Sequence, residues 1–587
     1  MKQLQKLTEK RWFWPVVCAV SVVFGWWYLS IVTCAQLGGD DEVINLQNYY
    51  YITHTTFGQS VLDYLRDLWE QFTLQHGRFR PFSSPPVRGL TSWFLGDLVG
   101  YRLYILAWTY ADILLTGWLV GKASRNKKLG IACICLLPMM FSVWQDSTGN
   151  SLYSYGALVQ STLLPALVAG LAVLRYHDTG HKQWAVLAGY CAFQCCATFE
   201  IGFTYIVPIF GLAWLYTDKV KAALRLSVPV FLGECVTLAF NMGARLVNTL
   251  RAAGILAGDV TQIEGISPNF DLPAILRTWA MQMSAGFPLN ALLFGKVRPG
   301  TIYPVDVLCG VMVAGAAVAA LAALDKLPNR KQNLLLFLSG LAMLSAPSLL
   351  IGLSPKYQQA GQVDWRHGYI PQTAESFGVG LMALAVLVVL LRWARGRRWW
   401  PKGRAVAYVL LAVCMAGSVV WQRAATRSAY ALGGRAYTVF GAGVAGGLAD
   451  AAGSETPIVT DFMVWGGDKS AENAFFMRYG DVNADAHALQ VWRTEGHADD
   501  EVAWRLGFTL GADKHTDIAW CGKGAGSELA ELTDVSVYLP AGTQQSATLC
   551  YTTADGREVR TEVYAEKDGT TITLDSKTVL ADSIRLE

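Results

Sequence analysis

The sequence predicts a mainly α-helical protein that crosses a membrane about eleven times and ends in a separate soluble domain. Three observations predict it. Of 587 residues, 53% are hydrophobic and only 16% charged, with 21 tryptophans, which is more apolar surface than one soluble core hides. Apolar runs long enough to cross a hydrocarbon core, roughly 20 residues for ~30 Å, recur along the first 421 positions. Lys and Arg cluster in alternate loops, as they do on the cytoplasmic side of membrane proteins. A net charge of +3 gives no reason to expect nucleic-acid binding.

In chain order the spans fall near 14–36, 101–121, 129–145, 157–174, 183–199, 201–217, 226–246, 304–324, 332–353, 373–391 and 405–421. The stretch 183–217 is long for one span and short for two, and Glu200 at its centre favours a tight reversal. Basic residues mark the inner loops: Lys2, Lys6, Lys10 and Arg11; Lys122, Arg125, Lys127 and Lys128; Lys219, Lys221 and Arg225; Lys326, Arg330 and Lys331; and the run from Arg392 to Arg404. The N-terminus is therefore expected inside, with 37–100, 146–156, 247–303, 354–372 and 422–587 outside. The first apolar stretch exceeds a signal-peptide core, so cleavage after Thr33-Cys34-Ala35 is not expected.

Residues 1–421 thus form a membrane domain and 422–587 an extracytoplasmic one, where 24 acidic side chains face 14 basic ones. Alternating segments at 535–539, 547–551, 558–564 and 570–574, separated by Gly and Asp, predict strands of a small β-sandwich or α/β domain. Only Cys521 and Cys550 of the twelve cysteines lie in this tail, where a disulfide can persist; Cys195-Cys196 reads as helix packing.

No phosphate-binding loop, dinucleotide fingerprint, zinc signature or internal repeat is visible, so attention falls on polar residues of the outer face. Asp40-Asp41-Glu42-Val43 follows the first span, and crowded carboxylates beside low dielectric suit a group that must accept a proton from a hydroxyl. The same acids would also serve to cap a helix and keep the loop outside. Within the first outer loop, apolar positions 61, 62, 65, 68, 69 and 72 predict a helix lying on the membrane surface. Arg78 and Arg80, interleaved with aromatics, can hold a phosphate at headgroup depth or anchor the interface.

The order of these features, with Asp41-Glu42-Val43 opening a large first loop, resembles the GT-C superfamily of membrane glycosyltransferases, which includes protein O-mannosyltransferases, the aminoarabinose transferase acting on lipid A, and arabinofuranosyltransferases. The similarity covers residues 1 to about 421 and gives no match for the tail. It implies inverting transfer of a sugar from a polyprenyl-phosphate-linked donor to a hydroxyl on a cell-envelope glycan, lipid or protein, at the outer face of a multi-pass cell-membrane protein. Asp41 is then the general base, with Asp40 second.

The leaving group is already a phosphate, so a cation suffices to receive its charge. Arg366 in Asp364-Trp365-Arg366-His367-Gly368-Tyr369 is the first candidate, resembling the Arg and Tyr before a late helix in several members; Arg78, Arg80, Lys296, Arg298 and Lys356 also qualify. Glu200, Asp146, Tyr369 and His367 remain as acceptor-holding or orienting groups. Asp40 and Asp41 offer hard oxygen ligands for a divalent ion, which some superfamily members do without. Asp112 and Glu234 fall near mid-membrane, as a proton path or as packing contacts. Two other classes stay open: a lipid-linked-sugar flippase or other transporter, and a polysaccharide-assembly scaffold without catalysis.

Overall fold

The computed structural model describes residues 10, 12–34, 55–83, 98–143, 151–153, 155–260, 269–294, 301–359, 362–365 and 368–443, and in the C-terminal region 458–460, 491–492, 503–510, 517–524, 531–539, 546–564, 570–574 and 578–587. The chain divides into two compact units, Met1–Thr33 with Phe57–Ser428, and Cys34–Thr56 with Ala429–Glu587.

The first unit is a helical bundle. Its elements are α1 (Phe13–Leu29), α2 (Phe57–Phe72), α3 (Leu98–Ala123), α4 (Lys127–Leu136), α5 (Leu158–Thr179), α6 (Lys182–Thr198), α7 (Ile206–Thr217) and α8 (Val220–Ala252). There follow α9 (Leu272–Ala285), α10 (Asn290–Phe294), α11 (Pro304–Ala322), α12 (Arg330–Leu353), α13 (Pro355–Gln358), α14 (Gln372–Arg395) and α15 (Trp400–Gly443). Every one of the eleven expected spans contains a helix. Among the described residues nine helices are long and apolar enough to cross a membrane. The other two expected spans are shorter: α4 has 10 residues followed by a 3-10 turn at Leu137–Met140, and α6 has 17.

Even so, α6 runs between opposite ends of the bundle. Gly180, with φ of 69°, ends α5 and the chain re-enters helix at Lys182. After the 3-10 turn Glu200–Thr204, α7 returns until the Tyr216 ring lies 5.4 Å from that of His177, beside the C-terminus of α5. Seventeen residues span about 26 Å. The expected reversal at Glu200 is therefore present.

Contacts among the basic loops confirm the helix parity. Lys122 bonds Asp178 at 2.8 Å, Lys331 bonds Asp218 at 2.5 Å, Lys128 pairs with Asp325, and Asn126 donates to the Lys326 carbonyl at 3.0 Å. All these loops lie at one end of the bundle. Close crossings hold the helices together: a Cβ on Gly233 would come 2.1 Å from the Gly189 carbonyl oxygen, and one on Gly378 2.6 Å from that of Gly340.

In the second unit, β1 (Ile458–Thr460) lies parallel to β2 (Val491–Trp492) and β3 (Ala503–Leu510). The sheet continues antiparallel through β4 (Asp517–Gly524), β5 (Glu531–Leu539) and β8 (Thr570–Thr573), with β9 (Thr578–Leu580) also on β5. A second antiparallel sheet runs in the order β10 (Arg585–Leu586), β6 (Ser546–Thr552), β7 (Glu558–Tyr564). Val535 and Val537 from one sheet share a core with Leu549, Tyr551 and Val563 from the other, which is the alternation the sequence carries. Cys550 is a buried free thiol, so a bridge to Cys521 is not formed. Cys550, Glu558 and Glu587 are the one gathering of possible metal ligands among the described residues, and Arg560 and Arg585 engage both carboxylates.

Candidate functional site

At the end of the helical unit opposite the basic loops, the segment after α2 folds back against α8. Gln71 accepts from the Arg80 backbone N–H at 2.9 Å, and Asn241 accepts from that of Phe79 at 3.1 Å. The Phe79 ring stacks on Phe240 with centroids 4.5 Å apart. This anchoring brings Arg80 to the α6–α7 reversal, where its guanidinium pairs with Glu200 and lies 5.0 Å from the Phe199 ring centroid.

Two more arginines join this pair. The charges acting on Arg78 are Arg80, Glu200 and Arg245, with the Tyr357 phenol also contributing. Burial, then the Arg80 charge, pulls the Arg78 pKa down, and Glu200 opposes them more strongly than Arg245 adds to them. Tyr357 carries a raised pKa, first through burial, opposed by its hydrogen bond with Tyr369 and by Lys356, Arg78 and Arg80.

The loop before α14 closes the other side. Gln282 on α9 accepts from the Tyr369 N–H at 2.8 Å and donates to both Glu375 oxygens at 3.1 and 3.0 Å, while Ser348 donates to Glu375 at 2.7 Å. Gly368 is required by this approach, since a Cβ there would come 2.7 Å from the Gln282 amide nitrogen. The Tyr369 ring then lies tilted 4.4 Å from that of Tyr357 and edge-on 5.9 Å from that of Tyr155. Tyr155, Gly156 and Ala157 all adopt left-handed φ, of 62°, 57° and 60°, at about 1–2 kcal/mol for each residue with a Cβ.

A cavity of about 380 Å³ opens beside this cluster. One face of α5, from Leu158 through Ser161, Leu164 and Pro165 to Val168, lines it, with Tyr104 and Trp108 of α3 opposite. It is mostly apolar and descends about 15 Å along α5. Its upper end carries Thr198, two residues before Glu200, and Ser83, whose N–H and hydroxyl both bond the Arg80 carbonyl, at 3.2 and 3.3 Å. The groove's lining residues are uncharged, and its outer end abuts, through Ser83 and Thr198, the segments that carry Arg80 and Glu200. Such an arrangement can hold an amphipathic anion: the cations meet the head and the groove takes the tail.

Of the residues chosen from sequence, Arg78, Arg80 and Glu200 come together here, with Tyr369 adjoining through Tyr357. Asp40, Asp41, Asp146, Lys296, Arg298, Arg366 and His367 lie outside the described residues. Arg245 and Tyr357 were not singled out; Arg245 stands at the end of an apolar run, where a basic residue reads as an ordinary flank. Away from the site, Asp112 is fully buried with no hydrogen-bond partner for either carboxyl oxygen among the described residues.

No protein-family model matches the chain, and no curated relative does. Among solved structures it is similar to ArnT from Cupriavidus metallidurans bound to undecaprenyl phosphate, at 12% identity and a TM-score of 0.39, over 85% of this chain and 93% of that one. ArnT from the same organism in the apo state matches at 15% identity and a TM-score of 0.33, over 85% and 92%. At such scores neither likeness bears on what this chain does.

Proposed function

We propose that this protein is a membrane glycosyltransferase that moves a sugar from a polyprenyl-phosphate-linked donor to a hydroxyl acceptor at the outer face of the membrane. The single observation that carries this reading is an apolar groove whose outer end, at Ser83 and Thr198, adjoins the segments bearing Arg80 and Glu200, with Arg78 and Arg245 in electrostatic reach of that pair. A polyprenyl phosphate has the matching parts, an anionic head on a long, narrow greasy chain. The groove volume lies within the roughly 300–1,000 Å³ of small-ligand sites, so it houses the first isoprene units while the rest of the chain runs into lipid.

In the reaction, the acceptor oxygen attacks the anomeric carbon, its proton passes to the Asp41 carboxylate, and the carbon–oxygen bond to phosphate breaks with its electron pair on the phosphate. The guanidiniums stabilise that added charge where it develops. Attack opposite the leaving group inverts the anomeric centre. Tyr357, packed against Tyr369, lies within electrostatic reach of Arg78 and Arg80 and helps to orient the head. The C-terminal unit is assigned to the same side as the acceptor.

The test is transfer by the purified full chain in detergent, where no second compartment exists and transport alone yields no product. Asp41→Asn is expected to lower transfer by about 10³-fold with donor binding retained. Full activity in that variant would remove Asp41 from the reaction, and absence of transfer by the unaltered chain with a range of polyprenyl-phosphate sugars would remove the enzyme reading.

A further inference from the structure

The Arg80–Glu200 pair is carried by the segments whose Ser83 and Thr198 line the outer end of the groove, and both side chains remain partly exposed, at 24% and 29%. The reversal that carries Glu200 does not need its carboxylate. Backbone bonds close it: Phe199 N–H to Cys195 at 3.3 Å, Gly202 N–H to Phe199 at 2.9 Å, and Tyr205 N–H to Gly202 at 3.0 Å. A phosphate held at this end of the groove by Arg80 would share that cation with Glu200.

Resting on the donor chemistry above, we propose that Glu200 is a specificity-determining residue that competes with phosphate for Arg80 and so disfavours the doubly charged lipid phosphomonoester relative to the singly charged phosphodiester. The two species are product and donor. Breaking the anomeric carbon–oxygen bond leaves its electron pair on phosphate, whose second ionisation lies near pH 6, so the product head gains close to one negative charge. Guanidiniums alone would hold that product more tightly than the donor. The Glu200 carboxylate repels the added charge and retains part of the Arg80 interaction, which favours release.

The measurement is binding of farnesyl phosphate and of methyl farnesyl phosphate to the full chain in detergent, two lipids of one chain length that differ by a charge. Glu200→Gln is expected to tighten farnesyl phosphate about tenfold, the effect of one charge at a partly exposed site, and the diester about threefold or less. Glu200→Asp, which keeps the charge, retains the original preference. In an Arg80→Gln background the Glu200→Gln shift shrinks to the part due to direct repulsion. Comparing two lipids on one protein cancels any loss of folded material. Equal changes for both lipids, weaker monoester binding in Glu200→Gln, or a shift undiminished without Arg80 would each overturn the proposal. If Arg78→Gln, Arg80→Gln and Arg245→Gln all leave both affinities unchanged, the phosphate site itself is wrong and the function falls with it.

Discussion

The helical unit contains two clusters in which arginines surround one carboxylate, and they are built to opposite ends. Asp306, at the start of α11, is fully buried; Arg427 grips both its oxygens at 2.8 and 2.7 Å, and Arg423 donates to it at 2.8 Å. The other Arg423 donors reach the carbonyls of Trp27 and Tyr28 at 2.7 and 3.2 Å, so α1, α11 and α15 are riveted together. Glu200 meets Arg80 at a partly exposed point beside the groove, with Arg78 and Arg245 close by. The same residue types make a rivet where the carboxylate and Arg423 are buried and protein carbonyls take the remaining donors, and a more open pair where acid and cation are both partly exposed.

The contrast is sharpest in stability. Asp306→Asn leaves two guanidiniums without their buried counter-charge, an expected loss of about 3–5 kcal/mol, whereas Glu200→Gln is expected to shift stability by about 1 kcal/mol or less. Thermal unfolding in detergent reads both, and similar losses would dissolve the distinction. Next in size, Arg80→Gln or Arg78→Gln is expected to weaken lipid-phosphate binding by about 1.5–3 kcal/mol, with unfolding little changed; titration with farnesyl phosphate checks it. Ser161→Trp fills the groove below the cations and is expected to weaken farnesyl phosphate about tenfold through an overpacking penalty of roughly 1–3 kcal/mol, while inorganic phosphate binds as before. The smallest effect belongs to the opposite end, where Lys331→Ala removes an exposed ion pair and is expected to change stability by less than about 1 kcal/mol.

Much of the fold is legible in the sequence because membrane helices carry long-range information in local composition. Apolar length and the placement of Lys and Arg identified a helix in each of the eleven expected spans and the reversal at Glu200, even where α6 is only 17 residues long, but not α9, α10 or α13 in the outer loops. Four of the candidate site residues, Arg78, Arg80, Glu200 and Tyr369, fall in one region for the same reason: each lies in an interval between spans that the alternation of spans forces to one end. Arg245 escaped because its interval begins inside the long helix α8, where a basic residue at the end of an apolar run carries no local mark of a ligand site. Asp306 escaped because its partners stand 117 and 121 residues away.

The sequence by itself determined that the chain makes a multi-span helical bundle, which loops share an end, and that strands with a two-residue period follow it. Burial of apolar surface and the requirement that backbone groups be satisfied within each helix act locally, so they can be read one segment at a time. The tertiary structure alone decided which arginines meet which acid, where a groove is left between α3, α5 and α6, and whether a charged cluster is sealed or open. Those outcomes depend on how side chains from distant segments fill shared volume, and no single segment contains that information.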